Sequence, residues 1–137
     1  MKDKLTVPCE KQSLSVIREY VLNQLDLFQV GEVLANQIVL AVDETCANSI
    51  IHGNQTDANH NLEIKVYKER NELHIDIYDP APPFDMNQHN PTINLEEKIK
   101  NRSKGGFGIA LIKKIMDRID VETGEKFSVY KLVKILQ

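Results

Sequence analysis

The stretch that decides the fold spans residues 42–53 and reads VDETCANSIIHG. It closes a run from Val33 to Ile51 that is apolar almost all round and whose only charges are Asp43 and Glu44. Such a run predicts a helix that is buried on most of its faces. Glu44 and Asn48 are four residues apart, which places them about 40° apart around the helix and about 6 Å apart along its axis. The two side chains therefore face the same site.

The chemistry of this pair has two interpretations. A carboxylate suits proton abstraction, and a carboxamide oxygen suits Mg²⁺, which prefers oxygen ligands and keeps several of its waters. A hydrogen-bonded polar pair without a chemical role is the alternative. Glu44 and Asn48 alone favour neither, so the rest of the chain has to decide.

Upstream of this helix, the sequence predicts one strand and one helix. The alternation over Lys4 to Pro8 suits an edge strand, because a proline cannot donate a ladder hydrogen bond. Apolar residues then recur at helical spacing and predict an amphipathic helix that ends before Gly31. These apolar residues are Leu14, Ile17, Val21, Leu25 and Phe28.

Downstream of the central helix, apolar residues alternate over residues 62–66 and 73–77, which predicts two strands joined by a turn at Arg70 to Glu72. Asp79 keeps the parity of Ile75 and Ile77, so its carboxylate is expected on the buried face where the strand ends. That position suits the edge of a pocket. An aspartate before Pro80 is also a common turn former, and this remains the second interpretation.

The segment after the second strand leads into a run of glycines. Three of the five prolines lie within Pro80 to Pro83, and a polar stretch follows from Met86 to Lys104, which favours a mobile lid over about residues 86–104. Gly105, Gly106 and Gly108 come directly before apolar residues at helical spacing. A glycine-rich loop that opens a helix favours a phosphate, because the backbone N–H groups and the helix dipole both attract an anion.

Two further strands are predicted around Ile119 to Thr123 and Phe127 to Leu136, with a turn at Gly124 and Glu125. The order β-α-α-β-β-lid-α-β-β indicates a two-layer α/β sandwich whose sheet is mixed or mostly antiparallel. A length of 137 residues matches one domain, residues 1–137.

Composition restricts the classes of partner. A net charge of −3 gives no reason to expect a nucleic-acid surface or a charged membrane patch, so a small molecule or a protein is favoured as the partner.

Cys9 and Cys46 lack the spacing of a zinc site or a disulfide framework and fit a reducing cytoplasm. Met1 to Leu5 contain no apolar leader, and no stretch has the ~18 apolar residues of a membrane span, so a cytoplasmic protein is expected.

Three segments match motifs of a known family. They read ETCANSIIH (44–52), DPAPPFD (79–85) and GGFGIALI (105–112). In this order and spacing they resemble the N, G1 and G2 boxes of the ATP-binding domain shared by DNA gyrase, histidine kinases and MutL. The nearest resemblance is to the stand-alone anti-sigma-factor serine kinases of the RsbW and SpoIIAB type.

The resemblance implies a Bergerat-type ATP-binding fold, in which about three helices back the sheet and ATP and Mg²⁺ lie between the lid and the N-box helix. It implies that Glu44 is the general base, Asn48 the Mg²⁺ ligand and Asp79 the acceptor for the adenine amino group. The other nucleotide contacts that it implies are Ala81, Phe84, Lys104, Gly105, Gly106, Phe107, Gly108 and Ile109.

The function implied by the resemblance is that of an ATP-dependent serine/threonine protein kinase. Such a protein sequesters a sigma factor and phosphorylates a STAS-type antagonist on serine, often as a homodimer, without contacting nucleic acid or membrane directly. Where this family usually has glycine two positions after the G1 aspartate, this chain has Ala81, whose methyl group would narrow the adenine site.

Two alternatives remain open. One is a protein-binding regulator without kinase activity, either switched by ATP or independent of it. The other is the detached catalytic half of a histidine kinase. The missing dimerisation hairpin and the short lid argue against this alternative.

Overall fold

The described part of the chain comprises residues 4–80, 104–124 and 127–136 of this computed structural model, and for residues 52–53 and 104–108 only the backbone is described. Its strands are β1 (Lys4–Pro8), β2 (Asn61–Glu69), β3 (Glu72–Asp79), β4 (Arg118–Thr123) and β5 (Ser128–Ile135). Its helices are α1 (Ser13–Leu27), α2 (Glu32–Asn48) and α3 (Lys104–Ile115), with a π-helical turn, Ser49–Gly53, directly after α2. The predicted order of helices and strands is confirmed, and the predicted lid lies outside the described residues except for Lys104.

The five strands form one sheet in the order β1-β2-β3-β5-β4. Each neighbouring pair is antiparallel. The sequence left open whether the sheet is mixed, and the described strands are antiparallel throughout. β1 is an edge strand, as its terminal proline predicted, and β3 is the central strand.

Side chains from one face of the sheet pack against the helices and form the core. Along β3, Leu73, Ile75 and Ile77 are fully buried, and the register places Ile75 between Val66 on β2 and Leu132 on β5. The buried hydrophobic side chains of α1 and α2 belong to the same core cluster. This arrangement confirms the predicted two-layer α/β sandwich. No helix in the described part of the chain is long and apolar enough to cross a membrane.

The end of α1 before Gly31 is confirmed, and a local hydrogen-bonded motif closes the helix. Gln29 takes φ 61°, the N–H of Val30 donates to the Leu25 carbonyl, and the N–H of Gln29 donates to the Asp26 carbonyl. This is a Schellman motif with glutamine in the left-handed position where glycine is usual. Gly31 follows the end of α1, as predicted, and also caps the start of α2, where its carbonyl accepts from the N–H of Ala35 at 2.8 Å.

The prediction for α2 was wrong in two respects. Val33 and Leu40 are 75% and 45% exposed, so the first half of the helix has a solvent face and only the half from Ala41 onward is mostly buried. The α-helical part also ends at Asn48 rather than Ile51, because the chain widens into the π-helical turn. Such turns occur frequently at functional sites.

Truncating the centre of the core gives the first testable prediction. Ile75→Ala removes a fully buried side chain from the central strand, and we expect the free energy of unfolding to fall by about 2–5 kcal/mol. Leu27→Ala, at a side chain that is 72% exposed, is the control, with an expected change within about 0.5 kcal/mol. Urea denaturation of both variants measures the difference, and similar losses would contradict the placement of the core.

Candidate functional site

The two carboxylates of α2 have different surroundings. Asp43 forms an ion pair with Arg18 of α1, with Nη1 and Oδ1 2.8 Å apart, so this carboxylate links the two helices. Glu44 is half-buried and lies one turn before Asn48 on the same side of α2. The structure therefore gives Asp43 a structural role and leaves Glu44 as the carboxylate that shares a side with Asn48.

Asn48 is a buried amide near the end of α2. It is 6% exposed, and among the described residues its Nδ2 has no hydrogen-bond partner. A buried amide group without a partner costs free energy, so this position indicates a group that a ligand completes. Because the two atoms of an asparagine amide exchange places when the group rotates, either an N–H or an oxygen can be offered there. Such a side chain fits a phosphate, a water or a metal ion.

Asp79 ends β3 on the face that the sequence predicted. Its side chain is fully buried, in register with the buried Ile77 and Ile75. Its Oδ1 accepts a hydrogen bond of 2.9 Å from Nδ2 of Asn54. The same Nδ2 lies 2.8 Å from the carbonyl oxygen of Ser49, the residue that follows Asn48. The end of β3 is thus linked to the end of α2 through one side chain.

The electrostatics of the buried thiols also indicate that these elements are close. Burial raises the pKa of the Cys46 thiol far above its ordinary value, and the charges of Asp43 and Asp79 raise it further. Cys46 lies on α2 between Glu44 and Asn48, so the charge of Asp79 reaches the middle of that segment. The Asn54 contacts therefore place Asp79 close to the end of α2 that carries Asn48, and Glu44 lies one turn earlier on that helix.

The glycine run is placed differently from the prediction. Instead of forming a loop before the helix, Gly105, Gly106 and Gly108 lie within the first turns of α3, which begins at Lys104 and also includes Phe107. The first four N–H groups of a helix have no partner within the helix, so this backbone still offers donors at the helix start. α3 packs against α2, which places both helices beside one another.

The remaining predicted contacts divide into two groups. Ile109 is half-buried and packs against the core, so at least part of its side chain serves packing. Ala81 and Phe84 lie outside the described residues, as does the lid up to residue 103.

Sequence reasoning missed two polar residues of this region. Asn54 is 4% exposed and holds Asp79, and Ser128 is fully buried and pairs with Asp79 in the register between β3 and β5. The signal for Asn54 was local, because asparagine directly after a glycine at a helix end often bonds to nearby backbone. Its contact with Asp79, 25 residues along the chain, could not be read without the fold.

The two thiols give a second prediction. Cys9 and Cys46 are both fully buried, and burial together with the charges of Asp79 and Asp57 raises the pKa of the Cys9 thiol from 9.0 to about 11. Two pKa units lower the thiolate fraction about 100-fold at pH 7.5, so Ellman reagent should react with the folded protein at least about 100-fold more slowly than with the unfolded chain. Two thiols that react rapidly without denaturant would contradict their burial.

The same shift predicts how stability depends on pH. The folded state keeps the Cys9 thiol protonated above the unfolded pKa of 9.0. The contribution of the protonated Cys9 thiol to the free energy of unfolding is therefore fully present below pH 9. It is lost as the pH rises toward 11.

An antiparallel sheet with helices on one face, and polar residues gathered at the end of one helix, defines an α/β sandwich with a candidate ligand site. The family model described as histidine kinase-like ATPase domain matches residues 7–134. The chain belongs to this family, which confirms the resemblance that the three motifs indicated. Membership in a family of ATPase domains implies that ATP is used.

Curated relatives of the chain are serine-protein kinases. Serine-protein kinase RsbW of Halalkalibacterium halodurans is 26% identical over 137 residues, which cover 98% of this chain and 83% of that protein. Serine-protein kinase RsbW of Bacillus subtilis is 21% identical over 122 residues, which cover 87% of this chain and 76% of that protein.

Solved structures share the fold. The SiaB-SiaC complex of Pseudomonas aeruginosa matches with a TM-score of 0.67 at 12% identity, over 98% of this chain and 88% of that chain. The RsbU and RsbW domains of a Mycobacterium tuberculosis protein match with a TM-score of 0.65 at 13% identity, over 98% of this chain and 32% of that chain. At these identities the likeness shows the fold alone.

Proposed function

We propose that the chain is an ATP- and Mg²⁺-dependent serine-protein kinase that also sequesters a sigma factor and phosphorylates a STAS-type antagonist. One observation carries the proposal. The buried amide of Asn48 lies with Glu44 at one end of α2, in a protein of the histidine kinase-like ATPase family. The next residue, Ser49, is linked through Asn54 to Asp79 by hydrogen bonds. Nδ2 of Asn48 has no partner among the described residues, and a hydrogen-bonded pair of purely structural use does not explain such a buried atom.

Asp79, Ala81 and Phe84 contact the adenine end of the nucleotide in this proposal, and the start of α3 contacts the phosphate end. A buried carboxylate is an acceptor for an exocyclic amino group, which the Asp79 Oδ1 bond to an amide donor illustrates. The backbone N–H groups of Gly105 and Gly106, in the first turn of α3, donate to phosphate oxygens, and Gly108, which has no side chain, allows the nucleotide to approach the helix closely. The further contacts in that segment are Lys104, Phe107 and Ile109.

Mg²⁺ fits the site as a partner of Asn48. The described residues contain no group of three or more His, Cys, Asp or Glu side chains that could hold a metal by themselves. Mg²⁺ is usually bound through one or two protein oxygens plus substrate phosphates and waters, so a single amide oxygen is a sufficient protein ligand. When bound, the ion would neutralise charge on the phosphates.

Glu44 is the general base for the transfer. A serine hydroxyl of the protein substrate attacks the γ-phosphorus, its proton passes to the Glu44 carboxylate, and the bond to the β-phosphate oxygen breaks to release ADP. Most of the rate enhancement in phosphoryl transfer comes from positioning and charge stabilisation, and the base contributes the orientation of the hydroxyl and its proton transfer.

The wider setting is part of the same proposal. Residues 1–137 act as one domain in the cytoplasm, bind their protein partners as a homodimer, and do not contact nucleic acid or membrane directly. The net charge of −3 supports protein partners over nucleic acid.

The proposal is tested by incubating the purified protein with labelled ATP, Mg²⁺ and a candidate STAS-type antagonist. Phosphoserine on the antagonist, dependent on Mg²⁺ and on both proteins, is the expected result. Absence of phosphoserine with an antagonist that demonstrably binds the protein would refute the kinase activity.

A regulator without kinase activity is the second candidate, and Ala81 in the place of the usual glycine favours it. Calorimetry with ATP and a non-hydrolysable analogue separates the cases. Binding of both nucleotides without turnover supports an ATP-switched regulator, and binding of neither supports a module that acts on its partner without ATP.

A further inference from the structure

Asn54 lies directly after the π-helical turn and is hydrogen-bonded through its backbone and its side chain. It is 4% exposed, and its backbone N–H donates to the Ser49 carbonyl at 2.8 Å. Its side-chain Nδ2 donates to the same carbonyl at 2.8 Å and to Oδ1 of Asp79 at 2.9 Å. One amide group therefore contacts both the segment after α2 and the end of β3.

The orientation of this amide determines which ring nitrogen of His60 carries the proton. Nδ1 of His60 lies 2.9 Å from Oδ1 of Asn54. Rotating the amide by half a turn would place its oxygen against two acceptors, the Ser49 carbonyl and the Asp79 carboxylate, which is unfavourable. Oδ1 of Asn54 is therefore the acceptor, and Nδ1 of His60 carries the proton.

His60 is itself held by the backbone. Its N–H donates to the Asp57 carbonyl at 3.0 Å, and its carbonyl accepts from the N–H of Cys9 at 2.9 Å, directly after β1. Its side chain is 45% exposed, with Nε2 3.7 Å from Oδ2 of Asp57. A continuous series of contacts thus runs from the end of β1 through His60 and Asn54 to Asp79.

We propose that Asn54 is a positioning residue that orients the Asp79 carboxylate for recognition of the amino group of adenine. The proposal rests on the proposed function, because it assigns Asn54 a part in nucleotide selection at the same site. With Oδ1 held by Asn54, rotation of the carboxylate about its Cβ–Cγ bond is restrained. A buried acceptor that is fixed in direction discriminates strongly against a ligand without the matching donor, whereas one that can turn away does not.

A purely structural role does not account for the whole arrangement. The turn is already closed by backbone bonds, from the N–H of Asn54 to Ser49, from the N–H of Thr56 to Ile50 at 2.7 Å, and from the N–H of Asp57 to Asn54 at 3.0 Å. The bond from Nδ2 to Asp79 joins two separate elements and is not needed to form the turn. It acts on the one residue of β3 that the site uses.

The test compares ATP with purine riboside triphosphate, which lacks the 6-amino group, by calorimetry in the presence of Mg²⁺. The wild-type protein should prefer ATP. In Asn54→Ala, we expect ATP affinity to fall about 10- to 100-fold, as when a hydrogen bond to a charged group is lost, while affinity for the analogue changes less than about 3-fold. The preference for ATP should therefore largely disappear.

Thr45→Val is the matched control. It also removes one buried hydrogen bond, from Oγ1 to the Ala41 carbonyl, but does not touch Asp79. Its preference for ATP should equal that of the wild type at a temperature where both are folded. An Asn54→Ala protein that keeps the wild-type preference would overturn the positioning role.

Further variants keep the proposal falsifiable. If Asn54→Ala does not fold, His60→Ala takes its place, because that side chain is half exposed, and we expect about a 3-fold loss of preference. An unchanged preference in His60→Ala would overturn the proposal. If the wild-type protein binds neither nucleotide, the proposed function fails and the positioning role with it, whereas retained preference in the variants refutes only the latter.

Discussion

Glu44→Gln should reduce the turnover of the kinase about 10²- to 10⁴-fold while leaving ATP affinity within about 3-fold of the wild type. Glutamine keeps the shape and hydrogen-bonding capacity of the side chain but cannot take up the serine proton. The loss should therefore appear in kcat rather than in nucleotide binding. Phosphoserine formation at saturating ATP, together with calorimetric binding of ATP, measures the two quantities separately.

Glu32→Gln is the matched control for this prediction. It makes the same chemical change on the same helix, at an exposed position in the first turn of α2, and should leave turnover unchanged. Wild-type turnover in both the Glu44→Gln variant and the control would show that Glu44 is not the base. An equal loss of turnover in both variants would show that the negative charge of α2 matters, and not proton transfer to Glu44.

Asn48→Ala should remove the Mg²⁺ dependence of ATP binding. In the wild type, ATP affinity with Mg²⁺ should exceed that with a chelator, and in the variant the two values should converge, with a loss of roughly 10- to 100-fold in Mg²⁺, the range seen when groups that support a metal site are removed. Asn48→Asp keeps an oxygen at the same place and should restore the dependence, because a carboxylate also ligates Mg²⁺.

Ser49→Ala is the control for the Asn48 variants. It removes a neighbouring buried hydroxyl that has no hydrogen-bond partner among the described residues, so its cost in stability should be small and the Mg²⁺ dependence should persist. A full Mg²⁺ dependence in Asn48→Ala would refute the role of Asn48 as the ligand.

The features that the sequence predicted are those set by local periodicity. The burial of Asp79 followed from the alternation of β3, because a strand places every second side chain on the same face. The shared side of Glu44 and Asn48 followed from helical spacing in the same way. Both needed only the chain within a few residues of each position.

The features that were missed include one contact between distant segments and two local conformations that the residue types do not favour. The bond between Asn54 and Asp79 joins residues on different elements, and neither residue type by itself predicts that the two are in contact. At the end of α1, Gln29 takes a left-handed conformation that the hydrogen bonds of Val30 and Gln29 compensate, and nothing in the residue type indicates this. At α3, three glycines argued for a loop, yet the helix includes them, because glycine weakens a helix by only about 1 kcal/mol per residue.

The position of β3 determines how the base-recognition end of the site can behave. β3 pairs with β2 over residues 72–78 and with β5 over residues 72–79, so its amide protons, up to Ile77, should be among the slowest to exchange with solvent. Asp79 is attached to that most protected strand. If Asp79 binds the base as proposed, we expect nucleotide exchange to leave the sheet intact, and we expect substitutions that raise base selectivity to lie outside β3.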